Sequence, residues 1–207
     1  MIQSKEHYEY YLKADAIALK KKKGDFIAYI VDPIWRYERL LRRVEYYKNC
    51  KKSSFNLYYY YIFFKYYCLG IILGFTIPPN TFGPGLSIAH VGTIVVNPNA
   101  RIGKNCRIHN CVHIATNAFH PDEELKEGFQ APAPNIGDNV FIGPCATIFG
   151  NIKIANNIAI GANSVVNKSF IEEGITIAGA PAKKISNKGF DKCYFKATEV
   201  LDHFLKI

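Results

Sequence analysis

The stretch IGDNVFIGPCATIFGNIKIANNIAIGANSVV (136–166) places Ile136, Ile142, Ile148, Ile154, Ile160 and Val166 six residues apart. Four residues after each of the first five stand Val140, Ala146, Ile152, Ile158 and Ser164, which are aliphatic or small. An earlier run has the same period: Val96, Ile102, Ile108 and Ile114, with Ala100, Cys106, Val112 and Ala118 as companions. Neither a helix nor an alternating strand produces a six-residue period, whereas a three-sided coil with one hexapeptide per side does. The aliphatic residue then points into a triangular prism, and the companion sits near a corner. Gly103, Gly137, Gly143 and Gly161 follow the inward residue, where a bend favours glycine. Asn105, Asn139, Asn157 and Asn163 suit corners because asparagine tolerates left-handed backbone angles. The expected fold is mainly β, a left-handed parallel β-helix of hexapeptide repeats carrying an N-terminal α-helical cap.

Ile114 and Ile136 are not separated by a multiple of six, so a loop over 117–133 is expected to leave the coil. It holds His120-Pro121 and the acids Asp122, Glu123, Glu124 and Glu127. A long loop on a rigid prism is a good place for substrate contacts, with a merely decorative loop as the alternative.

Upstream of the repeat, residues 1–75 read as helical. Asp32-Pro33 provides an N-cap and a proline at the first helical position, and Ile34, Tyr37, Leu40, Leu41 and Val44 then recur at helical spacing. Pro78-Pro79-Asn80 and Phe82-Gly83-Pro84-Gly85 end the helices, the β-helix is expected over 76–187, and 188–207 form a helical tail. The stretch from Leu57 to Phe75 approaches a membrane-spanning length, but Lys65 at its middle and its many tyrosines predict a buried or interfacial helix. Membrane contact is expected to be peripheral at most.

The 207 residues carry a formal charge of +9. Lys20 to Lys23 form one basic run, and Arg36, Arg39, Arg42 and Arg43 lie on the helix after Pro33, read as a solvated face. No nucleic-acid-binding signature accompanies them, so no nucleic acid is expected, and a phosphorylated cofactor or an acidic acceptor accounts for the charge as well. The six cysteines form no CxxC pair and no secretory signal is read, which points to the reducing cytoplasm.

The repeat, GLSIAHVGTIVV (85–96) and AGAPAK (178–183) together resemble the hexapeptide-repeat acyltransferases, closest to the serine acetyltransferase-like branch that includes polysaccharide O-acetyltransferases. The resemblance covers roughly residues 76 to 187. It implies a homotrimer with acetyl-coenzyme A (acetyl-CoA) in the groove between subunits, near Gly143, Pro144, Ala162, Asn167 and Lys168, with Lys183 close to the cofactor phosphates. It also implies His90 as the catalytic base, since neutral imidazole suits removal of a hydroxyl proton near neutral pH. His120 is the rival, because galactoside and maltose acetyltransferases of the same superfamily place their catalytic histidine in a similar His-Pro loop; otherwise His120 binds acceptor. True serine acetyltransferases carry an aspartate and a second histidine where this chain has Ala89 and Ala133. A free serine site is therefore disfavoured, and a saccharide or related small acceptor is expected. The alternatives are a serine acetyltransferase, a zinc-dependent carbonic-anhydrase-like protein using His109 and His113 with His90, and a catalytically silent scaffold. The zinc reading lacks a convincing third ligand, so no metal is expected.

Overall fold

The computed structural model describes residues 1–21, 26–51, 57–117 and 131–205. Four helices come first: α1 (Lys5–Ala18), α2 (Phe26–Val31), α3 (Pro33–Cys50) and α4 (Leu57–Leu73). Three sheets follow, with strands two to four residues long. The first stacks β1 (Phe75–Thr76), β3 (Ile94–Val96), β6 (Val112–Ala115), β9 (Thr147–Phe149) and β12 (Val165–Val166). The second stacks β4 (Arg101–Ile102), β7 (Asn135–Ile136) and β10 (Lys153–Ile154). The third stacks β2 (Ser87–Ile88), β5 (Arg107–Ile108), β8 (Phe141–Ile142), β11 (Ala159–Ile160), β13 (Thr176–Ala178) and β14 (Lys183–Ser186). Every pairing is parallel except β13 with the closing strand β14. The chain visits the three sheets in rotation, which is the left-handed β-helix. A three-residue 3-10 turn (Phe190–Lys192) and α5 (Ala197–Leu205) run back along the prism to the cap.

The six-residue period maps onto the interior. Val96, Ile102, Ile108, Ile142, Ile148, Ile154 and Ile160 are all buried, and so are companions such as Ala100, Cys106, Ile152, Ile158 and Ser164. Parallel stacking brings like positions into register: Ile88, Ile108, Ile142, Ile160 and Ile177 form one inward column. Asn105, Asn139, Asn157 and Asn163 have φ of 56°, 56°, 59° and 53°, as their place at corners requires. The amides of three of them form a ladder, with Asn105 Nδ2 donating to Asn139 Oδ1 at 2.7 Å and Asn139 Nδ2 to Asn157 Oδ1 at 2.9 Å.

The glycines after the inward residues differ from the sequence reading. Gly103, Gly137, Gly143 and Gly161 do not take positive φ. They are needed because neighbouring coils approach closely: a Cβ on Gly143 would lie 2.8 Å from the Ala162 nitrogen.

The arginines of α3 also depart from the solvated face expected of them. Arg42, assigned to a solvated face, is fully buried. Its Nε donates to Asp15 at 2.7 Å, Nη1 to Glu45 at 3.0 Å and to the Phe82 carbonyl at 2.9 Å, and Nη2 to the Gly83 carbonyl at 2.6 Å. Asp15 Oδ1 accepts the N–H groups of Gly85 and Leu86, Glu45 that of Asn80, and Glu38 that of Ile88. These side chains satisfy the open edge of the first coil, which has no coil beyond it to pair with. One guanidinium thus ties α1 and α3 to the end of the prism.

Helix α4 packs Ile62, Tyr66, Gly70 and Leu73 inward and leaves Tyr60, Tyr61, Phe64, Tyr67, Ile71 and Ile72 exposed. Among the described residues no helix is long and apolar enough to cross a membrane. The 117–133 loop lies mostly outside the described residues, His120 and its acidic cluster included. Its two ends are joined where Thr116 Oγ1 donates to the Pro132 carbonyl at 2.6 Å and Asn99 Nδ2 to the Ala131 carbonyl at 3.1 Å.

Candidate active site

His90 lies between β2 and β3. The next coil needs only His109, Asn110 and Cys111 to pass from β5 to β6, whereas the first coil uses five residues, 89–93. The corner carrying His90 is therefore two residues longer than the one it stacks on, and it pushes an exposed imidazole away from the prism. The end of α4 braces it: Gly92 N–H donates to the Leu73 carbonyl at 3.1 Å and Ile94 N–H to the Gly74 carbonyl at 3.0 Å. Gly74 (φ 78°) closes the helix, and Gly92 (φ 128°) takes a backbone angle that L side chains rarely adopt.

The rings of His90 and His109 are 5.7 Å apart, and His109 lies 5.1 Å from the Phe141 ring. Burial lowers the His109 pKa from its ordinary 6.5, and the positive Arg107 and neighbouring His90 push the same way. His109 is thus a neutral imidazole at pH 7, with a buried Nε2 that finds no hydrogen-bond partner among the described residues. Among the described residues no hydrogen bond orients the His90 ring, since Ala89 offers no side-chain acceptor. His113 sits on β6 and is exposed. No group of three or more His, Cys, Asp or Glu side chains gathers to hold a metal ion among the described residues.

The sequence-derived cofactor residues divide between two corners. Gly143, Pro144 and Ala162 stack in the column that begins at the His90 corner, with Cys145, Ala162, Gly179 and Ala180 exposed along it. Gly179 and Ala182 bond to the backbone of Val165 at 2.9 and 2.8 Å, which sets exposed Lys183 just beyond. The exposed residues along the strip are mostly small and it ends at a cation, a shape that fits a slender thioester arm with a phosphorylated end. Asn167 and Lys168 lie past β12, at the opposite edge of the first sheet, where the 117–133 loop is also rooted.

Sequence reasoning missed a cleft of about 250 Å³ beside Ala89, formed by Lys20, Lys21, Asp32, Ile34, Arg107 and Tyr194 among others. Arg107 Nη1 donates to Ser87 Oγ at 2.7 Å, and its guanidinium stacks 4.2 Å over the Tyr194 ring. Asp32 Oδ1 accepts the N–H groups of Ile34 and Trp35, and Oδ2 pairs with Lys21 at 2.7 Å. Despite partial burial, these donors hold the Asp32 carboxyl below its ordinary value. Among the described residues the cleft is cationic, and the one carboxylate that lines it, Asp32, is already engaged. Lys20, Lys21 and Asp32 were visible in the sequence, but nothing local shows that Arg107 and Tyr194 meet them.

No family model matches the chain. Serine acetyltransferases of Staphylococcus epidermidis and Staphylococcus aureus are 33% identical to it over 112 residues, covering 54% of this chain and 48% of theirs. The chain thus spans about half the length of the curated relatives it matches. Among solved structures, Neisseria gonorrhoeae serine acetyltransferase aligns with a TM-score of 0.66 at 26% identity, covering 88% of this chain and 68% of that one. The Brucella abortus enzyme aligns with a TM-score of 0.66 at 24% identity, covering 90% and 72%. The chain is a hexapeptide-repeat protein with the serine-acetyltransferase-like left-handed β-helix fold.

Proposed function

We propose that this protein is an acetyl-CoA-dependent O-acetyltransferase with His90 as general base. The observation that carries the reading is the position of His90, exposed on a lengthened, helix-braced corner at the head of the small-residue strip. Acetyl-CoA supplies an activated thioester carbonyl. The His90 imidazole takes the proton of the acceptor hydroxyl as its oxygen forms the new ester bond, and the imidazolium so formed returns that proton to the departing thiolate. Transfer is direct, with no acyl-enzyme. Pro144 and Ala162 leave room for the thioester arm, while Lys168 and Lys183 supply positive charge for its phosphates.

Serine is the acceptor that the comparisons favour, ahead of the saccharide the sequence led us to expect: the relatives are serine acetyltransferases, and the Neisseria gonorrhoeae enzyme has also been solved in complex with serine. A second reading, a sugar or acidic acceptor, is favoured by one observation. Asp32 is saturated by three donors and Ala89 replaces an aspartate, so the described residues of the cleft offer a substrate ammonium no free carboxylate.

The homotrimer is part of the proposal. Cofactor residues on two corners separated by a whole strand are reconciled when neighbouring copies set one corner against the other. Light scattering should give three chains per particle, and a fully active monomer would remove this element. The test of function is thiol release from acetyl-CoA with serine, sugars and nucleotide-sugars offered side by side. Acceptor-dependent release is expected. Coenzyme A binding with no turnover on any acceptor would point to the scaffold reading.

A further inference from the structure

The corner that carries His109 also carries a cysteine, and so does the corner stacked on it. Cys111 has φ 57° and Cys145 φ 60°, the left-handed angle that asparagine takes at the other corners. They occupy equivalent places in successive coils: Cys145 N–H donates to the Asn110 carbonyl at 3.1 Å, as Asn163 N–H does to the Pro144 carbonyl at 2.9 Å one coil on. Stacked strands lie about 4.8 Å apart, inside the roughly 4.4–6.8 Å between Cα atoms that a disulfide spans. The Cys111 thiol is near enough to act on the Cys145 thiol. Cys145 is exposed and Cys111 half-buried behind it.

We propose that Cys111 and Cys145 form a reversible dithiol–disulfide site that is oxidised by low-molecular-weight disulfides such as glutathione disulfide. Cys145 is the attacking thiol because it is the exposed one. Its thiolate attacks one sulfur of glutathione disulfide, forming a mixed disulfide and expelling a glutathione thiolate. Cys111 loses its proton to solvent and attacks the Cys145 sulfur, expelling the second glutathione. Two protein thiols are oxidised and one small disulfide is reduced to two thiols. Local desolvation, and then the neighbouring Cys111 thiol, raise the Cys145 thiol above its ordinary 9.0, so little thiolate is present at neutral pH. Oxidation is therefore slow at rest and accelerates with pH, by about tenfold per unit below the thiol pKa. The proposal does not depend on the acetyltransferase reading, because the test reads the covalent state itself.

The folded chain is incubated with excess glutathione disulfide, quenched with acid, alkylated, and analysed by intact mass and tryptic mapping. The expected product is a monomer lighter by two hydrogens, in which peptides 108–126 and 127–153 are joined, and dithiothreitol returns it to the dithiol. Cys145→Asn, which installs the residue found at the stacked Asn163 position, should keep the fold and lose the joined peptides. Cys111→Ser should instead accumulate a glutathione adduct on Cys145. A stable glutathione adduct on Cys145 of the wild-type chain, a disulfide that joins another cysteine such as Cys193, or no oxidation at any pH would each overturn the proposal.

Discussion

The imidazoles of His90 and His109 face each other across two stacked coils, 5.7 Å apart and inclined at 58°. The pairing exists because the corner after β2 rests on the corner after β5. A neutral His109 adds no positive charge beside His90, so it does not oppose the arrival of a proton there.

His90→Ala should lower turnover by about a hundred- to ten-thousand-fold, the usual cost of removing a positioned base, while the oligomer and coenzyme A affinity are kept. His120→Ala should act mainly on the Michaelis constant for the acceptor. Steady-state kinetics of both variants decide the roles, and normal turnover in His90→Ala with none in His120→Ala would reverse them.

The lowered pKa of His109 makes stability depend on pH with a definite sign. Between the depressed folded value and the ordinary 6.5, the unfolded chain binds more protons than the folded one, so stability rises with pH across that window. Acidification from about pH 7.5 to about pH 5.5 should lower the melting temperature, and His109→Gln should remove part of that loss. Parallel slopes for the two proteins would show that His109 contributes nothing.

Arg42 neutralises two buried carboxylates and caps two carbonyls of the first coil. Arg42→Ala leaves those acids without a partner and should cost about 3–5 kcal/mol in denaturant unfolding. Arg42→Lys should recover little, since an ammonium cannot reproduce the branched donor geometry. A loss below about 1 kcal/mol, the scale of an exposed ion pair, would contradict this account.

Burial, reinforced by the negative Asp15, raises the Glu38 carboxyl well above its ordinary 4.5. A carboxyl held neutral in the fold contributes stability at low pH, and the contribution falls as pH rises from 4.5 through the folded value. Glu38→Gln should therefore resemble the wild type below about pH 4.5 and gain on it as the pH rises above that value. Unfolding curves at several pH values check the trend, and a variant that loses ground with rising pH would reverse the assignment.

Lys168→Ala with Lys183→Ala should raise the Michaelis constant for acetyl-CoA and leave the melting temperature unchanged, because both lysines are exposed. Unchanged kinetics would remove them from the cofactor site. Shortened acyl thioesters that lack the nucleotide should be indifferent to the double substitution, which separates phosphate contacts from effects on the acetyl group.

Much of this was legible along the chain. A period of six is a local property: it needs only that each short strand point one aliphatic residue inward and that each corner accept a left-handed residue. The repeat therefore shows the inward column from Val96 to Ile160 and the asparagine corners without knowledge of any contact between coils. Asp32 as the cap of α3 was legible for the same reason, since its partners are the N–H groups of Ile34 and Trp35 directly after it.

What joins residues distant in the chain was not. Arg42 looks like one of four exposed arginines until Asp15 and the Phe82 and Gly83 carbonyls are brought to it. The tight approach of coils at Gly143, the pairing of His90 with His109, the cleft between Asp32 and Arg107, and the stacking of Cys111 on Cys145 all arise between coils. Sequence periodicity determined the prism and which side chains fill it, because those follow from the backbone geometry of each hexapeptide. Tertiary structure alone decided which corners stand next to one another and which charges close the open end, because lateral register depends on the whole stack and on the cap that terminates it.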